Sequence, residues 1–351
     1  MSEIKVNFTG QEKPEQKETS PLPFGKIFAD HMLVADYAQG QWNKGEIVPF
    51  RDFSISPANA ALHYGQSIFE GIKAYKDQQG NPLIFRPDMN YTRFLLSAER
   101  MAMPPIPEDL FIGGMKSLVS LDRDWIPDQD GASLYIRPFM FATDRTLGVK
   151  ASETYKFAII TSPTGPYFNK PIRLFVQDKY VRAFPGGTGF AKSAGNYGGS
   201  LFPTSEVKKQ GYDQILWTDG LEHKYLQECG TMNLFVLIGH KAITPPLDQG
   251  TILAGVTRDS VIHLLRDHGM EVEERPLSIQ EVLDARKKGE LREVFGTGTA
   301  ATIAYVEELS YNRENIRFDV SSWTIAPTLL KNLEDIHTGK TEDSRGWNLH
   351  I

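Results

Sequence analysis

A stretch rich in proline and glycine, "PTGPYFNKP" at residues 163–171, divides the chain into two parts. Each part contains its own set of predicted strands and helices, and 351 residues exceed what a single hydrophobic core usually serves. Turn-forming residues between two such sets are typical of an interdomain linker. We therefore predict a flexible N-terminal arm (1–20), a smaller domain (21–164), a linker (165–171) and a larger domain (172–351).

Hydrophobic spacing and turn residues predict strands and helices in both domains, and hence an α+β architecture. In the smaller domain, "HMLVADYAQGQWNKGEIVPF" indicates a hairpin, Ser56 and Pro57 indicate a helix start, and residues 87–103 have helical spacing. In the larger domain, Gly269 is expected to end the helix that begins near "GVTRDS". The strand through "REVFGTGTAATIAYVEEL" is expected to break at its two glycines.

Composition excludes several classes of protein. The formal charge of −6, with both signs interspersed, disfavours binding to nucleic acid or to an anionic membrane surface. No apolar run approaches the ~20 residues that span a bilayer, and the N-terminus has neither a signal-peptide nor a transit-peptide pattern. The single cysteine, Cys229, excludes an intramolecular disulfide framework, and the eight histidines lack metal-ligand spacing. We expect a cytoplasmic protein without a bound metal.

The segment "FPGGTGFAKSAGNYGGS" at residues 184–200 surrounds one lysine, Lys192, with glycines. It approaches the phosphate-binding pattern G-x-x-x-x-G-K-[ST], but Ala191 replaces the second glycine and Pro185 separates any strand from the loop. The residues after Lys192 are also poor helix formers. A nucleotide site is therefore disfavoured, which leaves a solvated loop lysine or a lysine that forms a Schiff base with pyridoxal phosphate.

Three further features of the larger domain match what pyridoxal phosphate needs, namely an anion site, an acid for the ring nitrogen and a partner for the ring oxygen. Val256 and Thr257 begin a predicted helix, whose free N–H groups and dipole favour a phosphate. Glu228 ends a predicted strand, and Tyr197 lies close to Lys192 in sequence. Each feature alone is usually structural, but their occurrence together favours the cofactor.

The motifs "FAKSAGNYGGSL", "QECGTMNLF", "LAGVTRDS" and "FGTGTAA" come in the order and spacing of fold-type IV pyridoxal-phosphate enzymes. Together with "LHYGQSIFEGIKAYK" and "ASLYIRPF", they resemble the branched-chain amino-acid aminotransferases. The similarity runs from Phe24 to "DIHTGKTEDSRGW", nearly the whole chain. This resemblance implies a pseudo-barrel of strands in the larger domain, a homodimer, and reversible amino transfer between L-leucine, L-isoleucine or L-valine and 2-oxoglutarate.

The resemblance also implies roles toward the cofactor. Lys192 would form the Schiff base and move the proton between the substrate Cα and the cofactor C4′, because a free amine is both nucleophile and base. Glu228 would keep the pyridine nitrogen protonated. The other contacts implied are Tyr197 at the ring oxygen, Arg93, Val256 and Thr257 at the phosphate, and Thr299 at the phosphate or the substrate. From the sequence pattern alone, Arg93 is more simply a solvated helix arginine.

The strand "SLYIRPFMF" places Tyr135, Arg137, Phe139 and Phe141 on one face, because side chains alternate along a strand. We expect Phe139 and Phe141 to pack in the core. The resemblance assigns substrate contacts to Tyr64, Phe69, Tyr135, Arg137 and Tyr167, with Arg137 binding the distal carboxylate of glutamate. It also implies that Thr299 and Ala300 offer backbone N–H groups to the substrate α-carboxylate.

Two other kinds of protein share parts of this pattern. One is another fold-type IV enzyme, a D-amino-acid aminotransferase or an aminodeoxychorismate lyase, and the other is a non-catalytic homologue that binds the cofactor. The presence of Tyr64, Arg137 and Thr299 disfavours the second. Some relatives carry a C-x-x-C thiol switch where this chain has Ala301 and Ala304, so regulation through that pair is excluded. We expect Cys229 to be a small buried residue.

Overall fold

The computed structural model describes residues 4–6 and 22–351. Its residues form two compact units, which we describe separately. Unit 1 contains the described residues up to Tyr167, together with Ala191–Gly195 and Glu334–Ile351, and unit 2 contains Phe168–Phe190 and Asn196–Leu333. The predicted arm at 1–20 lies outside the described residues except for residues 4–6.

The strands, numbered along the chain, are short to medium in length. They are β1 (Lys5–Val6), β2 (His31–Ala38), β3 (Gln41–Trp42), β4 (Glu46–Pro49), β5 (Ser67–Phe69), β6 (Ile72–Lys76), β7 (Pro82–Phe85), β8 (Ser133–Ala142), β9 (Tyr155–Thr164), β10 (Ile172–Val176), β11 (Gln214–Thr218), β12 (Leu226–Cys229), β13 (Met232–Ile238), β14 (Lys241–Thr244), β15 (Glu271–Glu274), β16 (Leu291–Gly298), β17 (Thr302–Tyr311), β18 (Glu314–Arg317) and β19 (Asn348–His350).

The α-helices are α1 (Ala60–Tyr64), α2 (Pro87–Arg100), α3 (Gly114–Leu121), α4 (Ala194–Gly198), α5 (Leu201–Lys209), α6 (Val256–Asp267), α7 (Ile279–Lys287) and α8 (Ile325–His337). A π-helical turn at Asp109–Gly113 precedes α3. In the part of the chain described, no helix is both long and apolar enough to cross a membrane.

Unit 1 is built on one sheet, in the order β1-β4-β2-β9-β8-β6-β7-β19, with β3 beside β2 and β5 beside β8. The predicted hairpin is confirmed, since Gln39 and Gly40, both with positive φ, connect β2 to β3. The fully buried rings of Phe94, Phe111 and Phe157 pack together in the core between helix and sheet. The predicted helix at 87–103 is α2.

The first helix begins three residues later than we predicted from Ser56 and Pro57. Asn59 is its N-cap, and the Asn59 side chain accepts hydrogen bonds from the N–H groups of Ala61 and Leu62. The Ser56 hydroxyl instead accepts from the N–H of Ala58 in the preceding turn. Both side chains are good caps, and the buried Asn59 has the further advantage of a bond from its amide to the Ala142 carbonyl.

Unit 2 contains a closed ring of six strands in the order β12-β11-β10-β17-β16-β13, closed by pairing between β13 and β12. The predicted pseudo-barrel is thus confirmed. Among the residues of these strands, Leu174, Leu234, Val294 and Val306 are fully buried and belong to one hydrophobic cluster. The expected break at two glycines is wrong: β16 continues to Gly298, because Gly296 and Gly298 keep their ladder partners on β17.

Two helices of unit 2 have well-defined ends. Gly269, with φ of +73°, follows the last turn of α6, as predicted. The start of α8 is bonded by a residue far away in sequence, because the buried Glu293 carboxylate accepts hydrogen bonds from the N–H groups of Thr324, Ile325 and Ala326. A carboxylate there satisfies free N–H groups and interacts favourably with the helix dipole.

Unit 1 buries a group of ionisable side chains around Lys73 of β6. His337 stacks on Tyr75, with 4.6 Å between ring centroids, and lies edge-on to Phe85. Burial lowers the pKa of Lys73 to about 8, against the opposing effect of the Glu334 charge. Burial and then the Lys73 charge lower the pKa of His337 to about 3. The unit therefore accommodates a lysine whose charged form is disfavoured.

The free energy of unfolding should depend on pH through Lys73. Because the folded pKa lies below the unfolded value, the unfolded chain binds more protons between about pH 8 and 10.5, so the wild type gains stability as pH rises through this window. Lys73→Met should be the more stable protein at pH 7, and its advantage should shrink above pH 8 by at most about 1.4 kcal/mol per pH unit. Denaturant unfolding at several pH values measures this. Lys76→Met, on the same strand and nearer the solvent, is the control. A difference independent of pH would contradict the prediction.

Candidate active site

Lys192 is held by its backbone within unit 1. Its N–H donates to the hydroxyl of Ser97 on α2 at 2.9 Å, and its carbonyl accepts from the N–H of Phe69 at 3.1 Å. Ser193 forms an isolated bridge with Ile68 of β5, and Ala191 and Ser193 are both buried. This main chain is therefore fixed on both sides, while the Lys192 side chain remains partly accessible.

The surroundings of Lys192 exclude the nucleotide-loop alternative. β10 ends at Val176, well before the glycines, and the helix after Lys192, α4, has only five residues. A phosphate-binding loop needs a strand leading directly into it and a long helix after it. The ammonium of Lys192 lies over the ring of Phe69, with 4.9 Å from Nζ to the ring centroid. An incidental solvated loop lysine would have no such fixed backbone.

A buried ion pair links the segment after β5 to α2. Glu70, fully buried, accepts from Nε of Arg93 at 2.7 Å and from a terminal nitrogen of Arg93 at 2.7 Å. Burial raises the pKa of Glu70, but the Arg93 charge and hydrogen bonds outweigh burial and hold this pKa below its ordinary value. Arg93 is itself buried, so a solvated helix arginine is the wrong interpretation. Glu70 was not predicted, although it lies inside the motif "LHYGQSIFEGIKAYK".

The predicted substrate residues of β8 form a compact group. A terminal nitrogen of Arg137 donates to the hydroxyl of Tyr135 at 3.1 Å, and the guanidinium lies over the rings of Phe69 and Tyr135, 4.7 and 5.2 Å from their centroids. Nε of Arg137 is buried without a hydrogen-bond partner among the described residues. A side chain at Gly71 would clash with the Tyr135 hydroxyl, 2.0 Å from the ideal Cβ position, so this approach requires glycine.

The other predicted substrate residues of unit 1 are more exposed. Tyr64, at the end of α1, donates to the Leu147 carbonyl at 2.5 Å. Tyr167 makes an edge contact with Phe24, which makes a second with Tyr135, at centroid distances of 5.2 and 4.9 Å. Phe24 was not predicted, and only its aromatic character could have indicated it. By contrast, Phe139 and Phe141 stack on each other and contact Phe53, and Phe141 is buried as expected, whereas Phe139 is only partly buried, so core packing is not confirmed for it.

In unit 2, Glu228 on β12 is buried beside a cation. One of its oxygens accepts from the N–H of Leu253 at 2.8 Å, and the other lies 3.2 Å from Nε of Arg182. Arg182 was not predicted, although it lies in "YVRAFP", directly before the glycines. The neighbouring Cys229 is fully buried, as predicted, and burial raises the pKa of its thiol.

The helix start predicted to bind an anion has a suitable form. Gly255 is the N-cap of α6, and because it has no side chain, it provides no cap for the first N–H groups, those of Val256 and Thr257. α6 has 12 residues, enough for a substantial dipole. A Cβ at Gly255 would lie 1.9 Å from Oδ1 of Asn233, which fixes the approach of this loop to β13.

Thr299 and Ala300 lie in the turn between β16 and β17, and Thr302 at its end has φ of +58°. A β-branched residue in this conformation is strained, and such strain is common in turns that bind ligands. On β16 itself, the Thr297 hydroxyl is buried without a hydrogen-bond partner among the described residues. Tyr197 lies in α4 and is partly buried.

The groups present fit pyridoxal phosphate by their chemistry. A fixed lysine can bind its aldehyde, a buried carboxylate its ring nitrogen, and a helix start without a side-chain cap its phosphate. Within residues 4–6 and 22–351, no group of three or more His, Cys, Asp or Glu side chains is arranged to hold a metal ion.

Comparison with known proteins gives the family. The family model of class IV aminotransferases matches residues 67–309. The probable branched-chain-amino-acid aminotransferase of Staphylococcus epidermidis (strain RP62A) is 48% identical, with 100% of this chain and 99% of the relative covered. Branched-chain-amino-acid transaminase 1 of Bacillus subtilis (strain 168) is 45% identical, with 96% of each chain covered.

Solved structures agree. The branched-chain amino acid aminotransferase of Escherichia coli matches with a TM-score of 0.73 and 27% identity, covering 92% of this chain and 98% of that one. The T.th. branched-chain amino acid aminotransferase complexed with N-(5′-phosphopyridoxyl)-L-glutamate has a TM-score of 0.73 and 26% identity, covering 92% and 99%. The fold, the fixed lysine and these full-length similarities lead to one conclusion. The chain belongs to the class IV aminotransferases, in the family of the branched-chain amino-acid aminotransferases.

Proposed function

We propose that this chain transfers the amino group of L-leucine, L-isoleucine or L-valine to 2-oxoglutarate, reversibly, with Lys192 as its catalytic residue. Relatives 48% and 45% identical over nearly their whole length carry the corresponding names. The observation that carries the assignment of the lysine is its fixed main chain, bonded to Ser97 and Phe69. The fixed main chain sets where the side chain starts, and its Nζ lies over the Phe69 ring, 4.9 Å from the centroid.

Pyridoxal phosphate, the cofactor of this aminotransferase, supplies an aldehyde that captures amines and a ring that accepts the electron pair released at the substrate Cα. Lys192 Nζ is the group that would hold that aldehyde, and its free amine would be the base that carries the proton between the substrate Cα and C4′. The aromatic ring under Nζ replaces part of its hydration and limits the directions in which the amine moves.

The proposed cofactor contacts have distinct tasks. Glu228 holds the proton on the ring nitrogen, because a carboxylate at that position stabilises the positively charged ring. The N–H groups of Val256 and Thr257 bind the phosphate, and Arg93 supplies a further donor to it. Tyr197 bonds the ring oxygen. Thr299 contacts the phosphate or substrate, and with Ala300 it offers N–H groups to the α-carboxylate.

The substrate pocket we propose must accept both an aliphatic branch and a second carboxylate. The rings of Phe69 and Tyr135 supply apolar contact, and Tyr64 and Tyr167 complete the aromatic set. Arg137, whose Nε is buried without a partner among the described residues, supplies the cation for the distal carboxylate of glutamate. Because its charge already lies over two aromatic rings, the guanidinium is stabilised when no carboxylate is bound.

We further propose that the enzyme is a cytoplasmic homodimer. The homodimer is supported by the family resemblance, and the compartment by the use of a single cysteine, which fits a reducing environment. Size-exclusion chromatography with light scattering tests the first part, and fractionation of the source cells tests the second. A monomer that retains full activity would contradict the dimer.

Lys192→Ala should abolish leucine transamination and the visible absorption band of lysine-bound cofactor, because one amine serves as both nucleophile and proton carrier. The far-ultraviolet circular dichroism spectrum, which reports secondary structure, should not change. Lys179→Ala, at an exposed position of the same segment, is the matched control and should retain both band and activity. Turnover of L-leucine by the Lys192 variant at a substantial fraction of the wild-type rate would refute the assignment. Turnover of D-leucine by the wild type would indicate another fold-type IV activity.

Arg137→Met should produce an asymmetric defect. Losing the cationic partner of a buried carboxylate costs about 2–5 kcal/mol, so the half-reaction with glutamate or 2-oxoglutarate should slow about a hundredfold or more. The half-reaction with leucine should change far less, since its side chain bears no charge. Single-turnover conversion between the two cofactor forms measures each half-reaction separately. Arg123→Met, at an exposed position of unit 1, is the control. Equal losses in both half-reactions would show that Arg137 supports the fold instead.

A further inference from the structure

We infer that Arg182 is a positioning residue, which acts on the cofactor through Glu228 by keeping that carboxylate ionised and fixed in direction. The inference rests on the proposed function only in that Glu228 is taken as the partner of the ring nitrogen. It concerns a residue outside the motifs by which the sequence resembles its family.

The first support is the burial of both charges. The side chain of Arg182 is 9% exposed and that of Glu228 is 5% exposed, with 3.2 Å from Nε to the carboxylate oxygen. A carboxylate removed from water in this way is strongly disfavoured in its charged form unless a cation lies beside it. A protonated Glu228 would have no charge with which to hold a proton on the ring nitrogen.

The second support is the way in which Arg182 is itself fixed. A terminal nitrogen of its guanidinium donates to the carbonyls of Gly189 and Thr251, the former at 3.1 Å. A Cβ at Gly189 would lie 2.6 Å from the Thr251 carbonyl oxygen, so only glycine lets these two backbone segments come close enough to share the guanidinium. The main chain therefore orients the Arg182 guanidinium independently of its contact with Glu228.

The third support is the division of contacts on Glu228. One oxygen accepts from the Leu253 N–H, and the other lies 3.2 Å from Arg182 Nε in an ion-pair contact without hydrogen-bond geometry, so the carboxylate is constrained from two sides. Leu253 precedes the start of α6 by a few residues, and the same short segment thereby sets both the carboxylate and the helix start. Removing Arg182 leaves one of the two constraints and removes the charge.

A double-mutant cycle on the affinity for pyridoxal 5′-phosphate tests this. Protein freed of cofactor is titrated with pyridoxal 5′-phosphate for the wild type, Arg182→Gln, Glu228→Gln and the double variant. Arg182→Gln alone should weaken binding about tenfold or more. In the Glu228→Gln background the same change should have an effect smaller than about twofold, because the carboxylate through which it acts is gone. Equal effects in both backgrounds would overturn the inference.

Two further measurements separate positioning from a loss of fold. The affinity of Arg182→Gln for the cofactor should fall as pH decreases through the range in which a buried carboxylate gains its proton, and this fall should be absent in the double variant. Arg182→Lys, which keeps the charge, should recover the pH profile but not all of the affinity. The inference would be contradicted if the cofactor affinity of Arg182→Gln did not fall at lower pH, or if Arg182→Lys did not recover the wild-type pH profile.

The matched control is Arg275→Gln, which breaks another arginine–carboxylate group in unit 2, with Glu273 and Glu281. It should lower the melting temperature without changing the cofactor affinity or its pH dependence. A wild type that neither binds pyridoxal 5′-phosphate nor transaminates leucine would overturn the proposed function. If the wild type is active but the losses of cofactor affinity caused by Arg182→Gln and Glu228→Gln simply add in the double variant, only the role of Arg182 would be overturned.

Discussion

In unit 1, the position of the Lys192 main chain depends on the buried ion pair between Glu70 and Arg93. Glu70 accepts four hydrogen bonds, two from Arg93, one from Asn90 and one from the Gly71 N–H, which saturate its carboxylate. The Arg93 carbonyl accepts from the Ser97 hydroxyl, and that hydroxyl accepts from the Lys192 N–H. The loss of either charge would leave the other buried and unpaired, a large penalty. One ion pair is therefore linked, through the helix turn that contains Arg93 and Ser97, to the main chain of Lys192.

Local patterns predicted the elements of the fold well where a single physical signal dominated. Hydrophobic stretches around a turn predicted the hairpin of β2 and β3, and helical spacing predicted α2. The end of α6 was predicted from Gly269, because glycine tolerates the positive φ found there. The start of α1 was wrongly predicted because Ser56 and Asn59 are both good N-cap residues. The burial of Asn59, which the local sequence does not reveal, decides between them. The cap of α8 by Glu293 comes from a strand some thirty residues away, and no local pattern contains it.

Lys192 and Glu228 could be proposed from the sequence because the chemistry requires one residue type in a distinctive segment, and their roles stay predictions. Their partners could not be proposed in this way. Glu70 and Arg182 look like ordinary charged residues in sequence, and their importance arises from tertiary burial, which turns a common surface residue into a charge that must be paired. Gly71 shows the same limit in another form, because its lack of a side chain has meaning only once the Tyr135 hydroxyl is placed against it.

The two buried arginine–glutamate pairs also differ in what they leave for a ligand. Arg93 gives two of its nitrogens to Glu70, which cancels most of its charge, so toward a phosphate it would contribute direction more than net positive potential. On the assignment that we propose, the larger electrostatic share of phosphate binding would belong to the start of α6, where the N-cap Gly255 offers no side chain to the first N–H groups. In the phosphate site that we propose, a paired arginine and an uncapped helix start would give geometric selectivity with little excess charge.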